Sequence, residues 1–347
     1  MKIKFFKASL SLLLAISAVF ALVSCKPTKQ YSETYYNYFD TFTYATVSSS
    51  SKKEAERFFS ILEDELNKYH RLLDIYEVYD GITNLKSIND NAGIAPTPVI
   101  FELIEIIEFS KDLYEETSGY INIAMGSVLR IWHEHRYNSL HSPDLASLPD
   151  ISVLQEAAEH TNINDIIIDK ENSTVFLNDA DMSIDVGAVG KGYATQKISD
   201  SLKKNGFENF VINIGGNVLA CGIKTENKPW SVAIEDPADT KELLLKLDIQ
   251  DMSVVTSGSY QRYFDLNGIR YHHIIDPYSL MPKNDYLSVT VIHKDPAVAD
   301  AMSTALFNMP YEVGYKTVCE YDGLEAVWVF SDGNVEYSDN FNQYIAK

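Results

Sequence analysis

Three short segments of this 347-residue chain combine glycine, acidic, lysine and histidine residues at the boundaries of predicted strands and helices. They read DVGAVGKGY from Asp185 to Tyr193, FVINIGGNVLACG from Phe210 to Gly222, and HHIIDP from His272 to Pro277. Glycine lets backbone amides approach a ligand closely, and charged groups at such a place can bind a phosphate. The three segments together predict an enzyme that acts on a nucleotide.

The lysine of the first segment lies at the start of a predicted helix. Lys191 stands between Gly190 and Gly192, where a predicted strand, SIDV, gives way to a helical pattern, so backbone amides and the lysine could bind an anion. The segment is not a Walker A loop, because Asp185 occupies the place of that motif's first glycine, and it is not GxGxxG. A tight packing turn between strand and helix is the alternative.

Two further turns carry small polar residues. The segment NIGGN, which begins at Asn213, places a glycine pair between two apolar strands, and this is also a common hairpin pattern. The segment TSGS, which begins at Thr256, is predicted to form a polar turn after another strand. Loops that line one ligand require residues of these types, so both turns are candidates for a pocket.

The third segment carries two histidines on a predicted short strand. Alternation along that strand puts His272 and His273 on opposite faces, so only one of them can face a site. Asp276 follows three residues after His273, and such a pair can act as acid, base or orienting group. A single histidine on a strand is otherwise a packed or surface residue.

Asp300 and Thr304 are four residues apart in the helical pattern AVADAMSTALF, so their oxygens lie on one helix face. Magnesium prefers a few such hard oxygen ligands, together with water and phosphate oxygens. A polar stripe on the helix surface is the alternative for this pair.

The patterns around these candidates predict two kinds of element. Apolar residues at helical spacing predict helices over 58–69 and 100–113, and further helices after Gly190 and over 296–308. From Asp165 onward, short β-branched runs separated by turn residues predict strands. Helices grouped before strands are typical of the α+β class, and the length fits one large domain.

The N-terminus has the pattern of a secretory signal: lysines precede an apolar stretch over 8–23, and LVSC at 22–25 resembles a bacterial lipobox. Cys25 would then be the lipidated first residue of the mature chain. An uncleaved membrane anchor is the alternative, although the stretch is short for a span.

This pattern gives a division of the chain into a signal peptide over 1–24, a lipidated tether over 25–34 and a domain over 35–347. We expect the domain to lie outside the cytoplasm in the cell envelope, anchored to a membrane by lipid.

The bulk composition excludes two classes of protein. The formal net charge of −20 would repel nucleic acid phosphates, so a nonspecific nucleic acid binder is excluded and no nucleic acid partner is expected. Cys221 and Cys319, which remain once Cys25 carries lipid, do not make a disulfide framework. Stability must come from an ordinary apolar core.

Eight collinear segments of the chain resemble the ApbE family of bacterial FAD:protein FMN transferases. In order they are FDTFTYATV, LLDIYEVYDGITNLKSIN, SGYINIAMGSVLRIW, DVGAVGKGYA, NIGGNVLACG, VVTSGSYQRYF, HHIIDP and VADAMSTALF. The lipobox agrees, since many members are lipoproteins. The resemblance implies a single α+β domain in which a helical N-terminal half packs on a mainly antiparallel sheet, with the active site between the two.

The resemblance also implies roles for particular residues. Mg²⁺ would be held by the backbone carbonyl of Ala188 and the side chains of Asp300 and Thr304. His273 matches a functionally important position, and Tyr76 lies in a segment that approaches the flavin ring in relatives. The residues implied to line the FAD site are Asp185, Lys191, Asn213, Gly215, Gly216, Thr256, Ser257 and Gly258.

The implied reaction is transfer of the FMN moiety of FAD, the substrate, to a Thr or Ser hydroxyl of an acceptor flavoprotein, with release of AMP. Lys191 and magnesium would neutralise the phosphoryl oxygens, and His273 or Asp276 would take the hydroxyl proton. Respiratory or electron-transfer subunits are the family's usual acceptors. A magnesium-dependent FAD pyrophosphatase and a noncatalytic lipoprotein that binds flavin or another solute are the alternatives.

The chain departs from the family pattern in two places. Tyr278, Ser279 and Leu280 follow Pro277 where Arg-Thr-Gly is common, and Phe39-Asp40-Thr41 stands where Met-Gly-Thr is usual. We expect altered loop geometry at both places, with the metal and lysine positions intact.

Overall fold

A computed structural model describes residues 28–347, which contain fifteen strands and eight α-helices. Cys25 and the predicted signal peptide lie outside the described residues. Eight antiparallel strands form the main sheet, and their order across it is β1 (Lys29–Tyr38), β2 (Thr41–Ser49), β6 (Phe210–Ile214), β7 (Asn217–Cys221), β10 (Met252–Gly258), β13 (Tyr286–His293), β14 (Glu325–Phe330) and β15 (Val335–Tyr337).

Seven shorter strands form three small antiparallel sheets beside the main one. They are β3 (Thr97–Pro98), β4 (Ile166–Asp169) and β5 (Thr174–Leu177); β8 (Trp230–Glu235) and β9 (Leu243–Ile249); and β11 (Tyr263–Leu266) and β12 (Ile269–His272). The helices are α1 (Lys52–Leu72), α2 (Leu85–Asp90), α3 (Phe101–Glu116), α4 (Gly126–His141), α5 (Ile151–Ala158), α6 (Gly190–Lys204), α7 (Pro296–Asn308) and α8 (Tyr311–Glu320).

Local sequence explains where two helices of the site region, α1 and α7, begin. α1 starts after Ser51, whose side chain accepts a hydrogen bond from the Glu54 amide at 3.3 Å. α7 starts after Asp295, whose carboxylate accepts from the Ala297 amide at 2.8 Å, and Pro296 occupies its first position. Both are N-caps that satisfy free amides at a helix start.

The main sheet is buried on both faces. Helices α1, α6 and α7 cover one face and bury Leu62, Ile198 and Met302 in the largest core cluster. The β8–β9 pair covers the other face. Because neighbouring strand residues point to opposite sides, Val255 of β10 joins the helical core and Val254 joins the core under β8–β9. The α+β class and the antiparallel sheet predicted from the sequence are confirmed.

The predicted boundary between tether and domain is wrong from Lys29 onward. Residues 29–34 belong to β1, which pairs with β2 from Lys29 opposite Ser49. β1 and β2 therefore precede α1, so the N-terminal half of the described residues is not purely helical. The error arose because this strand is mostly polar, exposed and at the edge of the sheet, so it lacks an apolar run.

Three local predictions were also wrong. SIDV is an extended segment with a single bridge, between Ser183 and Met125, and not a strand of a sheet. Thr256 to Gly258 lie inside β10 rather than in a turn after it. β12 ends at His272, so His273 lies just beyond the strand that was predicted to carry both histidines. In each case tertiary contacts, which the local pattern does not contain, set the end of the strand.

No helix among residues 28–347 combines the length and hydrophobicity of a membrane span. Cys221 is buried and Cys319 is exposed, and both are free. The expectation that no disulfide framework stabilises the domain holds for the described residues.

Candidate active site

A cleft of about 1660 Å³ lies between the helices and the main sheet, lined by parts of α1, α4, α6, α7, β7, β8 and β10. Pockets for drug-sized ligands are about 300–1000 Å³, so this cleft has room for a dinucleotide. Among the predicted site residues, those that line the cleft are Tyr76, Asp185, Ala188, Lys191, Asn213, Gly215, Gly216, Thr256, Ser257, Gly258, His273, Asp300 and Thr304.

The carboxylate of Asp300 is the centre of the charged cluster in this cleft. Asp300 is 3% exposed; its Oδ2 accepts a hydrogen bond from the Gly192 amide at 2.8 Å, and its Oδ1 lies 3.6 Å from Lys191 Nζ. Burial raises the pKa of this carboxyl, and the Lys191 charge and the Gly192 amide oppose that rise. Thr304 follows on the same helix, as predicted.

The absence of a side chain at Gly192 permits this contact. A Cβ there would lie 2.3 Å from the Pro296 carbonyl oxygen and 2.5 Å from the Asp300 Cβ, so no larger residue fits without moving α6 from α7. The glycine that the sequence suggested for anion binding therefore also allows two helices to meet and bring Lys191 to Asp300.

Hydroxyl groups connect β10 to α7 beside the carboxylate. Ser257 Oγ lies 2.8 Å from Ser303 Oγ and 3.2 Å from Thr304 Oγ1, within hydrogen-bonding distance of both. Thr256 Oγ1 forms a hydrogen bond of 2.8 Å with Thr290 Oγ1 on the neighbouring strand. These bonds fix the positions of the cleft hydroxyls relative to the sheet.

Asn217 is a residue of this cluster that the sequence did not single out. It is fully buried, and within the described part of the chain neither of its amide atoms completes a hydrogen bond, although its side chain is near enough to lower the pKa of Asp300. Buried polar groups without a partner are rare. The carboxylate, the hydroxyl of Thr304 and this unpartnered amide form a set of oxygen donors that fits a hard cation such as Mg²⁺.

The two histidines face different surroundings, as predicted, although only His272 lies in β12. His273 lines the cleft, and its buried Nδ1 has no hydrogen-bond partner among residues 28–347. Burial, and then the positive charges of Arg262 and Arg136, hold its pKa well below 6.5. His272 is buried away from the cleft, with Nε2 2.6 Å from the Lys283 carbonyl oxygen.

Asp276 is not brought into the cleft. Its carboxylate accepts hydrogen bonds from Ser279 Oγ at 2.7 Å and Ser279 N at 3.1 Å, and it lies 3.3 Å from Lys283 Nζ. These contacts hold the turn that follows His273. The structure thus places the predicted histidine and aspartate in different environments. His273 lines the cleft, whereas Asp276 contacts Ser279 and Lys283.

The outer part of the cleft is aromatic and basic. Tyr76 is 56% exposed, its hydroxyl lies 3.1 Å from His133 Nδ1, and burial of its phenol raises its pKa to about 12. The Asp185 carboxylate accepts from the Gly187 amide at 2.7 Å, and desolvation within the cleft raises its pKa. Arg136 and Arg262 line the same region.

Sequence reasoning missed Asn217, His133, Arg136 and Arg262. Arg262 lies within the segment VVTSGSYQRYF, but nothing in its spacing distinguishes it from a surface arginine. Asn217 follows the glycine pair directly, and that position is the only sequence signal for it.

A second group of ligand-type side chains lies outside the charged cluster. Within the described residues, His160, Asp179 and Asp181 bring ligand atoms within 4.8 Å of one another. His160 Nδ1 and Asp179 are close because they form a hydrogen bond of 2.7 Å, and Asp181 is exposed. We assign no metal to it.

The comparison with known protein families decides the membership of the chain. The profile of the ApbE family matches residues 39–328. The chain belongs to the ApbE family.

Curated ApbE-family relatives align with most of the chain. A protein of Treponema pallidum named FAD:protein FMN transferase is 30% identical over 311 residues, which are 85% of this chain and 84% of the relative. A protein of Klebsiella pneumoniae with the same name is 31% identical over 271 residues, 76% of this chain and 80% of the relative. The crystal structure of the ApbE protein of Thermotoga maritima superimposes with a TM-score of 0.79 at 26% identity, and the match covers 92% of this chain and all of that one.

The two departures from the ApbE pattern lie at the edges of the cleft. Phe39 and Asp40, both with positive φ, form the β1–β2 turn and line the cleft, and the Asp40 carbonyl accepts from Arg262 at 3.2 Å. Tyr278 is exposed, and its ring centroid lies 5.1 Å from that of Tyr120. Neither departure touches the cluster of Lys191 and Asp300.

Proposed function

We propose that this chain transfers the FMN moiety of FAD to a Thr or Ser hydroxyl of an acceptor protein, forming a phosphoester and releasing AMP. The observation that carries the proposal is the buried Asp300 carboxylate, held by the Gly192 amide beside Lys191 in a cleft of dinucleotide size. Membership of the ApbE family and the names of the relatives support it.

The pyrophosphate of FAD would lie at this charged cluster. Asp300, Thr304 and the backbone carbonyl of Ala188 would hold Mg²⁺, which when bound would polarise the phosphoryl oxygens. Lys191 Nζ, 3.6 Å from Asp300, would neutralise charge that develops on the same oxygens. The Lys191 ammonium contacts the Asp300 carboxylate at a distance longer than a hydrogen bond, so it would be able to turn toward a phosphate.

The rest of the cleft would bind the two ends of FAD. Tyr76 would approach the flavin ring, with Asp185 nearby. The β6–β7 turn, which contains Asn213, Gly215 and Gly216, and the end of β10, from Thr256 to Gly258, would shape the nucleotide pocket. The turn is tight, because Gly215 and Gly216 have φ of 55° and 89° and Asn213 Oδ1 accepts from the Gly216 amide at 2.8 Å.

His273 would take the proton from the acceptor hydroxyl. Its lowered pKa keeps the imidazole neutral at neutral pH, which is the form that accepts a proton. The hydroxyl oxygen would form a bond to the FMN-side phosphorus, the bond from that phosphorus to the bridging oxygen would break, and the electron pair would leave with AMP. Asp276 would hold the loop of His273 rather than accept the proton.

The setting of the reaction follows from the N-terminal segment. The proposed lipid on Cys25 would anchor the domain to a membrane of the cell envelope, outside the cytoplasm. The acceptor would be an extracytoplasmic flavoprotein domain, with respiratory or electron-transfer subunits as the expected class.

The test combines the chain from residue 26 with FAD, Mg²⁺ and a candidate flavin-acceptor domain, followed by intact-mass spectrometry of the acceptor. We expect an increase of one FMN that disappears with a chelator. Asp300→Asn should abolish the increase. The matched control is Asp276→Asn, which changes a buried carboxylate outside the cleft and should reduce transfer only a few-fold.

The other outcomes separate the rival functions. FAD split to FMN and AMP without a mass increase would favour the pyrophosphatase, in which water replaces the hydroxyl. FAD that stays whole with several acceptors would favour a binding lipoprotein. Full transfer by Asp300→Asn would contradict the assignment of Asp300 as a metal ligand but not the transferase function.

A further inference from the structure

Basic side chains collect at one end of this otherwise acidic molecule. We call this end the basic pole and define it as residues 28–30, 48–57 and 203–209. It contains three acidic residues, Glu54, Glu56 and Glu208, whereas the whole chain has 49 acidic and 29 basic residues. The basic residues of the pole, all exposed, are Lys29, Lys52, Lys53, Arg57, Lys203 and Lys204.

Three contacts bring these distant segments together. The Ser48 amide donates to the Asn209 carbonyl at 2.9 Å, and Lys29 pairs with Ser49 at the start of β1. Arg57 Nη2 donates to the Asn205 carbonyl at 2.9 Å. The start of β1, the start of α1 and the end of α6 therefore form one continuous surface.

The loop beside the pole has mixed charge. The Ile223 amide donates to Asn209 Oδ1 at 2.9 Å, which joins this loop to the pole. The loop carries Lys224 and Lys228, and Glu226 pairs with Lys228 at 2.7 Å. With two basic residues and one acidic residue, this loop does not make the net charge of the surface negative.

Local stability does not explain the lysines of α1. Lys52 and Lys53 occupy the first turn of the helix, where the positive end of the helix dipole disfavours a cation. Lys52 pairs with Glu56 at 3.3 Å, but both side chains are more than half exposed, so the pair contributes little. Within residues 28–347, Lys53, Lys203 and Lys204 form no ion pair.

The pole and the cleft lie at opposite ends of the same two helices. α6 begins at Gly190 in the cleft and runs for 15 residues to Lys204, which is about 21 Å at 1.5 Å per residue. α1 runs the other way and reaches the cleft at His70. The Tyr69 and Tyr193 rings, 6.1 Å apart, mark the cleft end of the helix pair.

The N-terminal segment leads to this same pole. β1 begins at Lys29, four residues after Cys25, and four extended residues span at most about 14 Å. A lipid on Cys25 would therefore keep the pole close to the bilayer, whereas a flexible tether up to residue 34 would have allowed any orientation.

We propose that the basic pole binds the phosphate headgroups of an anionic lipid bilayer and holds the cleft about 20 Å above that surface. Anionic membranes attract basic residues near their surface, and the six basic side chains of the pole would counter the repulsion of a chain with net charge −20. The cleft would open away from the lipid, where a folded acceptor domain can reach it. The proposal does not depend on the flavin chemistry.

The test is flotation of the chain from residue 26 with lipid vesicles. This chain has no lipid anchor and retains every helix and strand that the structure describes. We expect binding to vesicles that contain phosphatidylglycerol, little binding to vesicles of phosphatidylcholine alone, and release by salt. The variant with Lys52, Lys53, Lys203 and Lys204 all changed to Gln should bind about 600-fold more weakly, at about fivefold for each of the four charges removed.

The matched control changes four exposed lysines elsewhere, Lys170, Lys241, Lys294 and Lys316, to Gln. It has the same net charge as the pole variant and should bind like the unchanged chain. Equal weakening by both variants, or equal binding to both kinds of vesicle, would overturn the proposal. Unfolding midpoints of both variants show whether each is folded, and neither measurement uses FAD, so the result is separate from that of the transfer assay.

Discussion

At the scale of single residues, the candidate site depends on a few groups with unusual surroundings. Asp300 is buried with one amide hydrogen bond and one lysine, His273 is buried without a partner for Nδ1, and Asn217 has no partner for either amide atom. Such groups cost stability unless a ligand satisfies them. In the proposed function, FAD and magnesium would complete the set.

The pH dependence of transfer should report the neutral state of His273. Because its pKa lies below 6.5, we expect the transfer rate to stay constant as pH falls from 8 to about 6.5 and to decrease only below that. The measurement is the single-turnover rate across pH. A rate that already falls near pH 8 would contradict this assignment.

The lowered pKa of His273 also makes the stability of the folded chain depend on pH. At a pH between the lowered pKa of His273 and 6.5, the unfolded chain binds the proton and the folded chain does not. The contribution of His273 to the free energy of unfolding is therefore complete above pH 6.5 and is lost as pH falls toward the lowered pKa. Comparison with His273→Gln isolates this contribution, because other groups titrate in both proteins.

Asp276→Asn should separate a structural role from a catalytic one. The change weakens the bonds from Ser279 and leaves Lys283 without its charged partner, so we expect a loss of about 1–3 kcal/mol in the free energy of unfolding. The transfer rate of the folded enzyme should change only a few-fold. A loss of about 100-fold or more with unchanged stability would instead make Asp276 the base.

At the scale of elements, the site depends on how closely α6 approaches α7. The Gly192 amide reaches Asp300 because the backbones meet without an intervening side chain. β10 then positions Ser257 against Thr304 from the other side. The geometry of Lys191 and of the proposed metal ligands Asp300 and Thr304 is thus a property of three packed elements and not of one motif.

Gly192→Ala should disrupt this packing. The new methyl group would overlap the Pro296 carbonyl and the Asp300 side chain, so we expect a loss of about 1–3 kcal/mol in urea unfolding and a large loss of transfer. The control is Gly314→Ala in α8, whose nearest neighbour is a Leu306 side-chain carbon at 3.3 Å. It should change stability by less than about 1 kcal/mol. Equal effects of the two changes would contradict this account.

Truncation before Tyr35 should damage the main sheet. A chain that begins at residue 35 loses Lys29 to Thr34, which pair with β2, and also loses the hydrogen bond of 2.8 Å between Ser32 and Thr46. Since β2 then becomes an exposed edge, we expect a lower unfolding midpoint and self-association in light scattering, relative to the chain from residue 26. Identical behaviour of the two chains would show that β1 adds nothing to the sheet.

At the scale of the whole molecule, charge is distributed unevenly. The chain carries −20, while Lys191, Arg136 and Arg262 line the cleft and the basic pole lies at the other end. At long range, an approaching ligand interacts electrostatically with the net charge of the chain, and at short range it interacts with the charged side chains of the cleft. The two can be separated by ionic strength, because salt screens the first more strongly.

The association rate of FAD should therefore rise with salt. FAD carries a negative pyrophosphate, so at low ionic strength the acidic surface repels it, and screening should increase the rate constant a few-fold between about 0.01 M and about 0.15 M salt. Stopped-flow flavin fluorescence measures this rate. A decrease would show that the positive groups of the cleft dominate even at a distance.

The sequence contained most of the chemistry of the site. Thirteen of the fourteen residues predicted for the described part of the site line one cleft. The glycines, Lys191 and the Asp300–Thr304 spacing are local patterns tied to local backbone geometry, whereas Tyr76, Ala188 and the choice of His273 came from the resemblance to the ApbE family. Asp276 was the exception, since the turn between His273 and Lys283 decides where its carboxylate points. Arg136 and Arg262 could not be found, because no local pattern distinguishes an arginine of a cleft from one on the surface.

By itself, the sequence determined the helix over 296–308, the β6–β7 hairpin and the fact that only one of two adjacent histidines faces the cleft, because periodicity, alternation and glycine positions act over a few residues. The fold class and the choice of His273 came mainly from the resemblance to the ApbE family. Only the tertiary structure decided that β1 starts at Lys29, that Thr256 to Gly258 lie within β10, and that the basic pole is one surface. These features depend on pairing and packing between residues distant in the chain, and such contacts leave no periodic signal in either partner.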